Sequence, residues 1–125
     1  MAVVTITLSE AASGATFDNS DVTVESGTLS TLTTANNITW TGTFTPTASI
    51  TDATNVATVG TAWKDVHNNS AFSGAVSANY TIDTVVPTIS VSATPTSVNS
   101  GATSVIAFTL SEPSVDFTSG DVSVA

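Results

Sequence analysis

The sequence predicts an all-β chain: one antiparallel β-sandwich followed by the start of a second. Three observations predict it. Apolar and polar residues alternate along most segments, the period of a strand with one buried face. About one residue in five is Thr, with Val, Ala and Ser also abundant, and β-branched side chains suit a pleated surface. Finally, the start of the chain returns near its end. Thr7-Leu8-Ser9-Glu10 recurs as Thr109-Leu110-Ser111-Glu112, an offset of 112 − 10 = 102. Phe17-Asp18-Asn19-Ser20-Asp21-Val22-Thr23-Val24 recurs as Phe117-Thr118-Ser119-Gly120-Asp121-Val122-Ser123-Val124, an offset of 121 − 21 = 100, so one copy has lost two loop residues. A period of about one hundred residues is the size of a whole β domain.

The elements follow in order. Val4-Thr5-Ile6-Thr7-Leu8 alternates as a half-buried strand, as does Asp21-Val22-Thr23-Val24-Glu25, after which Ser26-Gly27 turns the chain. Leu29 to Leu32 is a short strand, and Ala35-Asn36-Asn37 makes a tight connection. Ile38 to Phe44 is the clearest strand, with Ile38, Trp40 and Phe44 on one face, Thr39, Thr41 and Thr43 on the other, and Pro46 ending it. Asn55 to Val59 and Ala75 to Ile82 are further strands. Asp83-Thr84-Val85-Val86-Pro87-Thr88 reads as a stiff extended connector. Beyond it come a strand at Ile89 to Ala93, a turn at Thr94-Pro95-Thr96, and Ser104 to Leu110 as counterpart of the first strand. No segment holds helical spacing over three turns, so almost no helix is expected.

The division is therefore residues 1–86, a repeat without its opening strand, and 87–125, the opening strands of the next. Ile89 to Ala93 is expected to complete a sandwich, in the same molecule or in a neighbour, because an unpaired edge invites strand pairing.

Charge narrows the function. One basic residue stands against ten acids, a net charge of −9, and only 9% of residues are charged. Nucleic acid needs Lys and Arg for its phosphates, and anionic membranes need the same. The acids favour cations. No stretch is apolar enough to span a membrane, and Met1-Ala2-Val3-Val4 has no basic export segment. There is no Cys to form a disulfide, and Ca²⁺ held by acids is the usual substitute in an extracellular β domain.

Several motifs occur in a fixed order: Ser-Glu at a strand end, Phe-Asp-x-x-Asp-Val-Thr-Val-x-x-Gly, Thr-Trp-Thr-Gly-Thr-Phe-Thr-Pro, Trp-Lys-Asp-x-x-Asn-Asn and Tyr-Thr-Ile-Asp-Thr-x-x-Pro-Thr. On these the chain resembles the bacterial immunoglobulin-like repeats of giant biofilm-associated and RTX-type adhesins, from residue 4 to 88 and again from Pro87 onward. The resemblance implies an immunoglobulin-like Greek-key sandwich, strung in series as an extender at the bacterial cell surface. It also implies Ca²⁺ at domain junctions. Where such repeats often carry Asp-x-x-Gly-Asn, this chain has Asp65-Val66-His67-Asn68-Asn69.

Ca²⁺ takes six to eight oxygens. Candidate ligands are Glu10, Asp18 with Asp21, Asp65 with Asn69, and Asp83, with Glu112 equivalent to Glu10. Glu10 and Asp83 are expected at strand ends, where a junction site would form, and Asp65 with Asn69 could wrap one ion. The plainer reading is that these are solvated loop acids and turn formers. His67, the only His, reads as a loop residue, since zinc would need more His or Cys ligands. Lys64 reads as a solvated charge. Trp40, Phe44, Trp63 and Tyr80 could form a sugar platform, but a sandwich core claims large residues first. The row Thr39, Thr41, Thr43, Thr45 has the spacing of an ice-binding face, yet Thr is an ordinary outward strand residue. No catalytic motif is present, so no enzyme is expected. The function predicted is a structural extender whose partners are neighbouring repeats of the same chain. The alternatives are a filament subunit pairing with like chains by strand exchange, or a glycan- or protein-binding module.

Overall fold

The computed structural model describes residues 2–124, which form two compact units, the first ending at Val85 and the second beginning at Val86. In the first unit β1 is Ala2–Thr7, β2 Val22–Val24, β3 Gly27–Leu29, β4 Thr33–Thr34, β5 Thr39–Pro46, β6 Thr51–Asn55, β7 Ala57–Val59, β8 Ala75–Val76 and β9 Tyr80–Asp83. One sheet has the order β1-β5-β3, with β4 also on β5; opposing it are β2-β7-β8 and β6-β9, and every pairing is antiparallel. The second unit pairs β10, Ile89–Thr94, with β11, Val105–Leu110. This is an immunoglobulin-like all-β architecture. Among the described residues no helix is long and apolar enough to cross a membrane.

The period-two pattern sets the core. Along β5, Trp40, Gly42 and Phe44 are buried while Thr41 and Thr43 are half-buried on the other face. Gly42 leaves room that the side chains of Leu29 and Leu32 fill. Leu8, Ala12, Phe17, Leu32, Trp40 and Trp63 form the main cluster. Phe17 lies between the two indoles, its ring centroid 5.2 Å from Trp40 and 6.0 Å from Trp63. Phe44 and Tyr80 meet edge-on at 5.5 Å, and the Tyr80 hydroxyl donates to the Glu25 carbonyl. The aromatics are therefore core residues, as a sandwich requires.

The repeat is structural as well as sequential. Short 3-10 turns occur at Asn19–Asp21 and at Ser119–Asp121, each closed by a capping box, Asp18 with Asp21 and Thr118 with Asp121.

Several strand boundaries differ from the alternation pattern, each because a side chain replaces the ladder. Leu29 to Leu32 shifts to Gly27–Leu29 because Asn19 takes the rest: its amide donates to the Ser30 carbonyl and accepts from Leu32 N–H. Gly27 therefore belongs to a strand, and the turn falls on Glu25 and Ser26, with Ser26 at φ 52°. Ala75 to Ile82 splits because Asn79 accepts the Asn55 N–H and donates to the Ala53 carbonyl, while Ser77 accepts from Ala57 N–H. Asn55 to Val59 belongs to two strands, β6 and β7, with Glu25 accepting the N–H of Val56 between them. Ile89–Thr94 finds its partner in β11, within its own unit.

Candidate metal centre

The loop after Trp63 organises the most elaborate polar site. Lys64 bridges to Ser70 and Asp65 to Ala12, so this loop is stitched both to itself and to the segment after β1. Asp65 is only 3% exposed. Its Oδ1 accepts the N–H groups of His67 and Asn69, each at 2.8 Å, and its Oδ2 accepts the Asn69 amide at 2.7 Å. The Asn69 amide above all, helped by the two N–H groups and opposed by burial, holds the Asp65 carboxyl below its usual range. Asn68 takes the left-handed conformation, φ 68°, that the loop needs. Lys64 donates to the Asn68 side chain at 3.2 Å.

Glu10, beyond the end of β1, reaches this loop. One ligand atom from each of Glu10, Asp65 and His67 lies within 4.8 Å of the others, and Glu10 and Asp65 line a cleft with Trp63, Asn69 and Phe72. Two of the places marked in the sequence are thus brought together. His67 and Phe72 were not expected there. His67 enters because the turn that satisfies Asp65 also carries the imidazole, a consequence of loop geometry that no spacing rule announces. Phe72, fully exposed, has no partner ring among the described residues.

The donor set meets a divalent cation's need for charge and falls short of calcium's need for oxygen. Two carboxylates supply up to four oxygens, but three hydrogen bonds already occupy Asp65, and the third neighbour is a nitrogen. Asn69 turns its N–H, not its carbonyl, to Asp65. Water and loop carbonyls would have to complete a calcium shell. Mixed nitrogen and carboxylate donors also suit zinc.

The remaining candidates stand apart. Asp18 and Asp21 are turn caps: Asp21 is buried and accepts the Asp18 N–H at 3.0 Å, and Asp18 accepts from the N–H and hydroxyl of Ser20. The Ser20 hydroxyl first, and its N–H second, lower the Asp18 pKa. Asp83 is exposed and accepts from the Thr51 hydroxyl and Val85 N–H. It lines a cavity with Ala2, at the opposite end of β1 from Glu10, so one ion within the unit does not take both. Glu112 belongs to the second unit, where its Oε1 is buried without a hydrogen-bond partner among the described residues. The Thr row of β5 lies on the outer sheet face, flanked by Thr5 and Thr7 of β1 and by Thr28 and Thr33.

A family model described as a bacterial Ig-like domain matches residues 1–82 and again residues 83–125. No curated protein and no solved structure matches the chain.

Proposed function

We propose that this chain, which belongs to the bacterial Ig-like domain family, is an extender repeat of a secreted or cell-surface bacterial adhesin, with a structural rather than an enzymatic role. The observation that carries the reading is the double match: the same module begins again at residue 83, directly after the first. A module repeated without a spacer adds length. The Asp83-to-Pro87 connector is short. A surface of few charges and many outward Thr residues fits a stalk exposed to solvent.

Calcium is the proposed stiffening agent. An ion held by Glu10 and Asp65 would clamp the end of β1 to the 64–70 loop and cancel the repulsion of two nearby carboxylates. The test is calorimetric titration of Ca²⁺ into chelator-treated protein, with melting temperature recorded alongside. Heat and a raised melting point that vanish in Glu10→Gln support the clamp. Absence of both removes calcium from the reading. Zinc run in parallel with His67→Ala identifies which ion the site prefers, since loss of the imidazole weakens zinc and leaves calcium unchanged. The extender role is tested separately: scattering from several repeats in series gives a maximum dimension that grows in proportion to repeat number, and a compact particle refutes it.

A further inference from the structure

Three Asn-x-Ser/Thr triplets occur in the chain: Asn37-Ile38-Thr39, Asn68-Asn69-Ser70 and Asn79-Tyr80-Thr81. Enzymes that attach sugar to an asparagine amide read this triplet, provided that the asparagine stands free at the surface. The fold treats the three amides differently. Asn79 commits both ends of its amide: its oxygen accepts the Asn55 N–H at 2.9 Å and its nitrogen donates to the Ala53 carbonyl at 3.0 Å. The Asn68 oxygen accepts from the Lys64 ammonium at 3.2 Å. Asn37 is exposed, and among the described residues its side chain makes no hydrogen bond.

The backbone of Asn37, by contrast, is pinned. It sits between β4 and β5 in the left-handed conformation, φ 58°, which Asn tolerates. Its N–H donates to the Thr34 hydroxyl oxygen at 2.9 Å, and its carbonyl accepts the Ala12 N–H at 2.9 Å. Asn36 closes the turn, its side-chain oxygen accepting the N–H groups of Ile38 at 3.0 Å and Thr39 at 2.8 Å. Neighbouring side chains therefore hold the turn, and the Asn37 amide is left free to face an enzyme.

We infer that Asn37 is an acceptor for N-linked sugar, delivered from a phosphate-activated donor. In that step the Asn37 Nδ2 attacks the anomeric carbon of the donor sugar. A C–N bond forms and the bond from that carbon to the phosphate oxygen breaks. The phosphate leaves with the electron pair, and a proton from Nδ2 passes to a base of the transferase. The Thr39 hydroxyl, the second half of the recognition element, has no hydrogen bond within the chain among the described residues. The surroundings suit both sugar and donor. A groove of about 440 Å³ opens beside the turn, lined by Thr33, Thr34, Ala35, Asn36, Thr39 and Thr41, whose hydroxyls and amide can hydrogen-bond a hexose. Between Glu25 and Asp52 no residue is ionisable, so in a chain of net charge −9 this stretch adds no repulsion against an anionic donor. This inference goes beyond the extender reading and does not depend on calcium.

The test sets the folded 125-residue chain beside synthetic peptides that carry each triplet. One arm uses a soluble transferase with UDP-glucose, the other a membrane transferase with a lipid-linked oligosaccharide, both enzymes accepting the bare triplet. Mass spectrometry of the digested chain reads the site. The expected result is sugar on Asn37 of the folded chain in at least one arm, which identifies the donor. Asn79 should be modified in its peptide but at least about tenfold less than Asn37 in the folded chain, because its amide would have to give up two hydrogen bonds. Thr39→Val should abolish modification of Asn37, and Thr39→Ser should keep it. Circular dichroism checks folding, and if Thr39→Val is unfolded, Asn37→Gly, which keeps the left-handed turn, serves as the variant that must lose the sugar. No sugar on Asn37 in either arm overturns the inference. So does modification of Asn68 or Asn79 ahead of Asn37 in the folded chain, or modification of Asn37 that survives Thr39→Val.

Discussion

Truncating Phe17 tests the core assignment, because the repeat supplies its own control. Phe17 is 1% exposed and sits between two indoles at 5.2 and 6.0 Å. Phe→Ala in a core costs about 3–5 kcal/mol, and each well-placed aromatic pair adds about 0.5–1.5 kcal/mol beyond burial. With two such pairs the upper part of the range applies, so Phe17→Ala should cost about 4–5 kcal/mol. Its counterpart Phe117 is 38% exposed and meets one ring, Phe108, at 5.7 Å. Phe117→Ala should cost less than about 2 kcal/mol, because much of its ring is never taken out of water. Urea unfolding followed by tryptophan emission separates the two, since Trp40 and Trp63 flank Phe17 and are the only indoles in the chain. With a slope near ~1.5 kcal/mol per molar urea, the Phe17→Ala midpoint should fall by about 3 M. Phe117→Ala should leave the same transition in place. A fall below about 1 M for Phe17→Ala, or equal falls for both variants, would refute this account of the core.

Gly27→Ala should destabilise by about 1–3 kcal/mol, because a Cβ there meets the Phe44 ring and the Thr45 carbonyl; thermal melts measure it, and a neutral result would mean the ring moves freely. Asp21→Ala should cost about 1 kcal/mol as a lost cap, whereas Asp21→Asn, which still accepts the Asp18 N–H, should cost little by the same melts. Acid should destabilise the fold through Asp18, Asp52 and Asp65, whose carboxyls are lowered chiefly by the Ser20 hydroxyl, the Thr54 N–H and the Asn69 amide. Their folded pKa values lie below the unfolded value of about 3.9, so the contribution is complete above about pH 5 and is lost as pH falls below about 4 through the folded values. Melting temperature against pH checks this, and Asp65→Asn should flatten the acid side.

Period-two alternation was enough to read β1 and β5 from the sequence, because the inward and outward faces of those strands differ, and the repeat was enough to read β11 as the counterpart of β1. The core aromatics were legible for the same reason. Strand ends were not, because they were decided by Asn19, Asn79, Ser77 and Glu25, whose side chains replace ladder bonds across separations of 11 to 31 residues. A local pattern carries no trace of such contacts. The polar site was half legible. Acids in loops could be named, but whether each binds or caps depends on where its lone pairs go. Asp18 and Asp21 spend them on a turn, and Asp65 spends most of its own on the loop that presents it.

The two-residue difference between the offsets 102 and 100 falls in the loop that follows Glu10 in the first copy and Glu112 in the second. Between Glu10 and Phe17 the first copy has the longer loop. That extra length folds into the turn Gly14–Thr16, with Gly14 at φ 49°. The turn grips Lys64: Ser13 N–H and the Thr16 hydroxyl both donate to its carbonyl at 2.8 Å, and its N–H donates back to Thr16 at 3.2 Å. Lys64 adjoins Asp65, so the longer loop fixes the carboxylate that faces Glu10. In the second copy the shorter loop closes on itself, with Ser114 accepting the Phe117 N–H and donating to Asp116. Thr16→Ala should therefore weaken whatever calcium affinity a titration finds at Glu10, since it removes a donor to the Lys64 carbonyl and the acceptor of the Lys64 N–H.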